Sequence, residues 1–265
     1  MSAFQRYFRI YLAFVRSCLI REMAFRGHFL LLAFSNTAWT LLSLAFAGFL
    51  FTNVRSVGGW DLNAMIVLTG TFSLVLGLLD GLFETNMSRL SEQINRGELD
   101  YVLIKPMSSQ FYVSTRYVNF NELPAVLISL VTVSAGMARL DRIPSVADLL
   151  VYALLVVCAL FTFYGLWFSS VTLALWTGRI NNIAYLILPI ADLGRMPSDI
   201  YRGVFKVVFT FILPVALIST IPARSLLGAF EPWMLLYALC AAAVAVMFSS
   251  WFWRFSLGRY TSASS

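Results

Sequence analysis

From residue 27 to residue 54 no Asp, Glu, Lys or Arg interrupts the chain. A helix needs roughly 20 apolar residues to cross the hydrocarbon core of a bilayer, so this run is long enough to span one. The pattern recurs at 62–79, in a run entered at Glu122 and Pro124 that reaches Met137, at 149–178 and at 232–253. Two shorter runs, 180–191 and 207–223, lie near or below that minimum. One of them crosses and the other does not, which makes six crossings and puts both termini on one side.

Composition agrees with that reading. Charged residues make up 12% of the 265 residues, against roughly 25% in ordinary soluble domains, so the polar surface that a water-exposed body needs is missing. The chain reads as an all-α polytopic membrane protein with a single transmembrane domain over 1–265. Its net charge of +6 does not point to nucleic acid, because the basic residues lie between the apolar runs, where they set topology. With the N-terminus inside, twelve Lys and Arg fall on the inner side and at most seven on the outer. Both termini are therefore expected to be cytoplasmic.

Residues 1–27 form an expected interfacial helix. Phe4, Tyr7, Phe8, Tyr11, Phe14, Val15 and Cys18 fall in one stripe about 120° wide, opposite Arg6, Arg9 and Arg16. Such a helix lies among lipid headgroups. The stretch lacks the short basic head, apolar middle and small-residue cleavage site of a secretory signal, and is expected to be retained.

Little in the sequence carries bond-making chemistry. Cys18, Cys158 and Cys240 are far apart and His28 is the single histidine, which leaves no zinc site and no Ser-His-Asp triad. No Gly-rich loop precedes a phosphate-binding lysine: Lys105 stands in Ile-Lys-Pro and Lys206 in Phe-Lys-Val. The chain is expected to be no enzyme, to hold no cofactor, and to leave any ATP to another polypeptide. Asp80 and Glu84 close the second run, Glu122 opens the third, and Asp192 lies beside the disputed segment. These carboxylates are either solvated or paired at the interface, or they form an acidic inner vestibule that attracts a cationic substrate. Gly77 and Gly81, and the face Ala238, Ala241, Ala242 and Ala245, suit close helix approach within the subunit or across a dimer.

Residues 84–117 are the longest polar stretch and are expected in the cytosol. Met87, Leu90 and Ile94 share a helical face, Gly97 is placed to end that helix, and residues 98–103 resume with apolar side chains before Pro106. An amphipathic helix beneath the membrane needs a cover for its apolar face: the bases of its own spans, the lipid surface, or another protein.

The run from Arg96 to Pro106, Arg-Gly-Glu-Leu-Asp-Tyr-Val-Leu-Ile-Lys-Pro, resembles the segment of ABC-2 type exporter permeases in which a coupling helix precedes a Gly-x-Leu-acidic stretch ending in proline. Met196-Pro197-Ser198-Asp199-Ile200-Tyr201, Leu213-Pro214 and Ile221-Pro222-Ala223 resemble a bacterial subgroup of uncharacterised or drug- and viologen-type exporter permeases, in which tyrosine usually stands at the Met196 position. The resemblance implies a permease of the bacterial inner membrane, paired with a second copy or a homologous permease and driven by separate ATP-binding subunits that hold ATP and Mg. It implies export of a hydrophobic, amphiphilic or cationic small molecule or lipid. Arg89, Leu90, Ile94, Arg96, Gly97, Glu98, Leu99 and Asp100 are the implied docking residues for the ATPase. The resemblance also implies that 180–200 crosses while 204–221 is re-entrant and broken at Pro214, whereas hydropathy and the basic-residue count prefer the reverse. The alternatives in other classes are an ion-coupled secondary transporter and a membrane-embedded lipid-modifying enzyme.

Overall fold

The computed structural model describes residues 3–140, 143–177 and 187–260. Among these there is no strand, only an isolated bridge between Val57 and Trp60 in the turn after the first long helix. Helix α1 spans Ala3–Ala24 and α2 spans Arg26–Asn53, with a bend at Phe25 between them. Helix α3, Leu62–Leu79, starts where the Asp61 carboxylate accepts the Ala64 N–H at 2.9 Å, which satisfies one of the orphan amides of a first turn.

Helix α3 does not stop at Asp80. A π-turn, Asp80–Glu84, carries it into α4, Thr85–Arg96, so that Leu62–Arg96 is one helix of 35 residues. The sequence suggested a separate helix below the membrane; a π-turn instead absorbs the irregularity without breaking the ladder. At 1.5 Å per residue the helix is about 52 Å long, some 20 Å more than the hydrocarbon core. Gly97 ends it at φ 70, a left-handed conformation that costs other residues roughly 1–2 kcal/mol.

Helices α5, Asp100–Leu103, and α6, Ser109–Thr115, fold back beside α4, and a 3₁₀ turn at Phe120–Glu122 leads into α7, Leu123–Ala138. Helix α8, Val146–Thr172, begins earlier than the uncharged run does. Ser145 and Asp148 form a reciprocal capping box, so a charge that reads as loop belongs to the first helical turn. Short pieces follow: α9, Ala174–Thr177; α10, Ile187–Asp192, extended by a 3₁₀ turn at Leu193–Arg195; α11, Val204–Val207; and α12, Thr220–Leu227. The last helix, α13, is Pro232–Leu257.

Five helices among the described residues are long and apolar enough to cross a membrane: Arg26–Thr52, Leu62–Arg96, Phe120–Ala138, Val146–Trp176 and Pro232–Leu257. The crossing expected over 180–200 falls in part on 178–186, outside the described residues; of its described part, 187–200, Ile187–Arg195 is helical and Ser198–Ile200 is a separate 3₁₀ turn. The rival run 207–223 is not one helix. The π-turn Val208–Ile212 ends at Leu213 and Pro214, and the chain then passes through the buried turn Val215–Leu217 before α12. Pro214 stands at this break, as its missing N–H and its ring require.

Two seams hold the body together. Along α3 and α7 an added Cβ would come within 2.8 Å of Val67 at Gly136, 2.9 Å of Val133 at Gly70 and 3.0 Å of Val126 at Gly77. Along α8 and α13 a Cβ on Gly165 would lie 2.6 Å from the Ala245 backbone. Gly77 and Ala245 are thus used for packing inside the chain. Helix α2 keeps Leu30, Phe34, Leu42 and Phe49 exposed.

The described ends of the chain lie together with residues 97–119. Arg6 donates to the Pro106 carbonyl at 2.6 Å, and burial and then the nearby Asp100 carboxylate push the Tyr260 phenol above its ordinary pKa. At the far end Asp199 accepts from Arg224 at 2.7 and 2.8 Å and from Trp60 Nε1 at 2.9 Å. These bonds tie the loop after α10 to α12 and to the α2–α3 turn.

Candidate functional site

A cavity of about 410 Å³ opens between α2, α3, the start of α7 and the α10 segment. Asp80 lies about 27 Å along the helix that begins at Leu62, near the boundary of the hydrocarbon core. Asp80, Glu122, Asp192, Arg195 and Asn36 all line this cavity, with Trp39 and Phe72 among its walls. Asn36 donates to Glu122. Arg195 donates to Asp192 at 3.1 and 3.2 Å and lies over the rings of Phe72 and Trp39, 5.5 and 6.0 Å from their centroids. Asp80 Oδ1 is buried and has no hydrogen-bond partner among the described residues.

Of the four carboxylates that the sequence offers for a vestibule, the structure brings Asp80, Glu122 and Asp192 to one cavity. Glu84 is nearby but does not line the cavity; it accepts from Ser88 at 3.1 Å and from Thr85 at 3.4 Å. Arg195 and Asn36 complete the site. Asn36 was visible as an amide inside an otherwise apolar run, and Arg195 as the basic partner three residues after Asp192; neither signal says which helices meet. Three carboxyl groups thus share one guanidinium among the described lining residues. Carboxylate oxygens beside aromatic faces favour a cation over an anion. No group of His, Cys, Asp and Glu among the described residues could hold a metal ion.

The joint below the cavity is stitched to the chain that enters α7. The Asn119 N–H donates to the Gly81 carbonyl of the π-turn at 2.8 Å. The Asn86 side chain donates to the Tyr117 carbonyl at 2.7 Å and accepts its N–H at 2.9 Å. Asp80 and Glu122 therefore sit on two segments of one bonded unit, and α4 continues from it.

At the tip of that unit the docking residues implied by the resemblance differ in exposure. Leu90 is 1% exposed and Leu99 0%, and Ile94 packs against the same core. The apolar stripe of α4 is packed against the chain's own helices, with Ile94 partly buried. Arg89, Arg96 and Glu98 remain at the surface, Asp100 is half-buried, and Glu92 bridges Arg96 at 2.7 Å and Arg89 at 3.9 Å. Gly97 supplies the turn. The exposed apolar residues are Tyr101, at 71%, and Ile104, at 78%, with Leu103 beside them. Sequence reasoning missed them because the periodic face lies on α4, and only burial shows that the outward residues are those of α5.

The platform is braced from behind. The Ser108 N–H donates to Tyr7 Oη at 3.1 Å, Tyr7 packs edge-on against Phe111, and Arg116 lies over Phe14. Trp253 Nε1 donates to Ser109 at 3.1 Å, and the hydroxyls of Ser114 and Tyr164 meet at 2.8 Å. Part of the α1 aromatic stripe thus covers α6, while Phe4 and Phe8 stay exposed.

No curated protein and no solved structure matched the chain in comparison searches. Residues 37–264 match the family described as ABC-2 family transporter protein. That stretch takes in the cavity lining apart from Ser35 and Asn36, the long α3–α4 helix, residues 97–119 and the last span, and the chain belongs to the ABC-2 transporter family, whose members are the membrane permeases of ABC transporters.

Proposed function

We propose that the chain is one half of an exporter, working with a second permease and with ATP-binding subunits that press on the platform of Arg89, Arg96, Glu98, Asp100, Tyr101, Leu103 and Ile104. The supporting observation is the continuous helix Leu62–Arg96, which carries Asp80 at the cavity and ends at the exposed tip. Closure of the ATPases on ATP moves the tip, and the stitched joint carries the movement to Asp80 and Glu122. The two packings of the joint then differ in their affinity for substrate, which is all that a population shift requires. A cationic amphiphile suits the cavity, with its charge on Asp80 and Glu122 and its apolar part on Trp39 and Phe72. Hydrolysis of ATP belongs to the partner subunits, which hold ATP and Mg; this chain supplies the pathway and the lever. Both termini then face the cytoplasm, α2 meets lipid or the second permease, and 204–221 enters the membrane from the outer side and returns.

The test is purification from native membranes in mild detergent, followed by ATP hydrolysis and by uptake of a quaternary ammonium dye into inverted vesicles. An ATPase is expected to co-purify, and Tyr101→Ser with Ile104→Ser is expected to release it while the permease stays monodisperse. Retention of the ATPase by the double variant would reject the platform. Asp80 Oδ1, buried without a partner, is what an ion-coupled carrier would also need. Dye uptake that needs no ATP and stops when the proton gradient is discharged would establish that second reading.

A further inference from the structure

Helices α7 and α8 are neighbours in sequence, yet they scarcely touch: α7 packs chiefly on α3, and α8 packs chiefly on α13 and α12 and touches α3 more lightly. Between them lies a groove of about 700 Å³, floored by Leu74 and Leu78 of α3 and walled by Leu130 and Met137 on one side and Leu149 and Val157 on the other. It lies across the α3–α7 seam from the carboxylate cavity and shares no lining residue with it.

The polar groups in its wall are already engaged. Ser134 Oγ donates to the Leu130 carbonyl at 2.9 Å, and the Tyr152 hydroxyl meets Thr71 Oγ1 at 3.2 Å, which in turn donates to the Val67 carbonyl. The groove therefore has no hydrogen bond to give a ligand, and its occupant must be hydrocarbon. Its length narrows the choice. The lining residues run from Val126 to Met137 on α7 and from Leu149 to Leu160 on α8, a rise of about 16 Å on each helix. That is close to half of the roughly 30 Å hydrocarbon core, the depth of one leaflet. At the mouth Arg139 is exposed just beyond Met137, while Asp148 is held in the α8 capping box. A guanidinium at the headgroup level selects an anion such as a phosphate.

We propose that this groove is a binding site for one acyl chain of an anionic phospholipid from the far-end leaflet, with its phosphate on Arg139. The lipid fills the wedge that α7 and α8 leave and acts as part of the packed body rather than as cargo. The proposal rests on the chain being embedded in a membrane and not on the direction or substrate of transport, so its failure would leave the export reading untouched.

The full-length protein, in nanodiscs of phosphatidylglycerol and phosphatidylcholine, is transferred to detergent and examined by native mass spectrometry. The expected result is one phosphatidylglycerol retained per chain after the bulk lipid is stripped. Val157→Trp, which fills the groove, should lower that occupancy at least tenfold. Arg139→Gln should retain lipid without preference between the two headgroups. No retained lipid in the wild type, or equal retention by Val157→Trp, would overturn the proposal. Should Val157→Trp fail to fold, the unmodified protein decides: delipidation should lower its melting temperature, and long-chain phosphatidylglycerol should restore it. Restoration by a six-carbon phosphatidylglycerol or by glycerol phosphate would show that the headgroup alone suffices and would reject the chain site. A second protein copy appearing in the delipidated state with the melting temperature unchanged would reject it too, by assigning the groove to a dimer.

Discussion

The α3–α7 pair separates two voids that differ in almost every chemical respect. On one side, Ser73, Gly77, Asp80, Glu122 and Ala125 face a cavity with three carboxylates; on the other, Leu74, Leu78 and Val126 face a groove of hydrocarbon. The assignments change within one residue, at Ser73 and Leu74, at Gly77 and Leu78, and at Ala125 and Val126. A helix turns about 100° per residue, so neighbours in sequence lie on different faces. Polarity alone does not describe the two sides, since Ser134 and Tyr152 lie in the groove. The difference is engagement. Groove hydroxyls have intramolecular partners, whereas Asp80 in the cavity keeps an oxygen without one among the described residues. A buried acceptor in that state is costly, and a site that tolerates the cost is the place to look for a ligand.

The seam itself is where the comparison breaks most completely. Gly136→Leu would place atoms within 2.8 Å of Val67 Cγ2 and 3.1 Å of the Val67 amide, and the backbone cannot yield as a flexible side-chain tip would. Overpacking of this kind costs about 1–3 kcal/mol and sometimes more. The expected outcome is near-total loss of monodisperse protein in size-exclusion chromatography. Gly27→Leu, where nothing lies within 4 Å of an added Cβ, is expected to keep the wild-type yield. A well-behaved Gly136→Leu protein would mean that the two voids are not held apart by this contact.

The next effect is on function rather than folding. Asp80→Asn combined with Glu122→Gln keeps the shapes and removes the charges of the cavity. Transport of a quaternary ammonium dye is expected to fall about tenfold or more, a change of roughly 1.4 kcal/mol in transition-state free energy. Transport of a neutral compound of similar size should be unchanged. Equal loss for both would show that the carboxylates hold the structure and do not select the cargo.

Much of this arrangement was legible beforehand, and the exceptions have physical causes. An uncharged run marks its own helix, which is why 27–54 and α2 differ by one residue at each end. Asp80 and Glu122 stood out because they bound uncharged runs, where a carboxylate must meet water or a partner. Capping was underread: Asp148 seemed to belong to a polar turn until Ser145 showed it to be part of a helix start. Amphipathicity told that the face of Met87, Leu90 and Ile94 needs a cover but could not say whose, and the cover proved to be the chain itself. Periodicity also assigns faces, not partners. It gave no sign that α7 would pack on α3 and α8 on α13, leaving a wedge between them, or that Arg195 would come over Phe72 from so far along the chain. The stretch from Gly194 to Gly228, with Pro197, Pro214 and Pro222, has too little periodic signal for hydropathy to resolve. There it misread a broken segment as a possible span.

The smallest expected effect is the sharpest check on engagement as the dividing property. Ser134 is a polar side chain in the groove wall, and its hydroxyl already donates to the Leu130 carbonyl one turn back. Ser134→Ala removes a bond that is made within one helix and leaves a carbonyl still served by the helical ladder, so stability should change by no more than about 0.5 kcal/mol. Phospholipid retention should not change at all, because the acyl chain never touched a free donor. Asn36→Ala is the matching change across the seam: it takes away the donor to Glu122 and leaves that carboxylate to find another partner, so it should alter dye transport at constant folding yield. If Ser134→Ala strips the lipid while Asn36→Ala leaves transport as it was, the polar chemistry lies on the opposite side of the seam from where the hydrogen bonds put it.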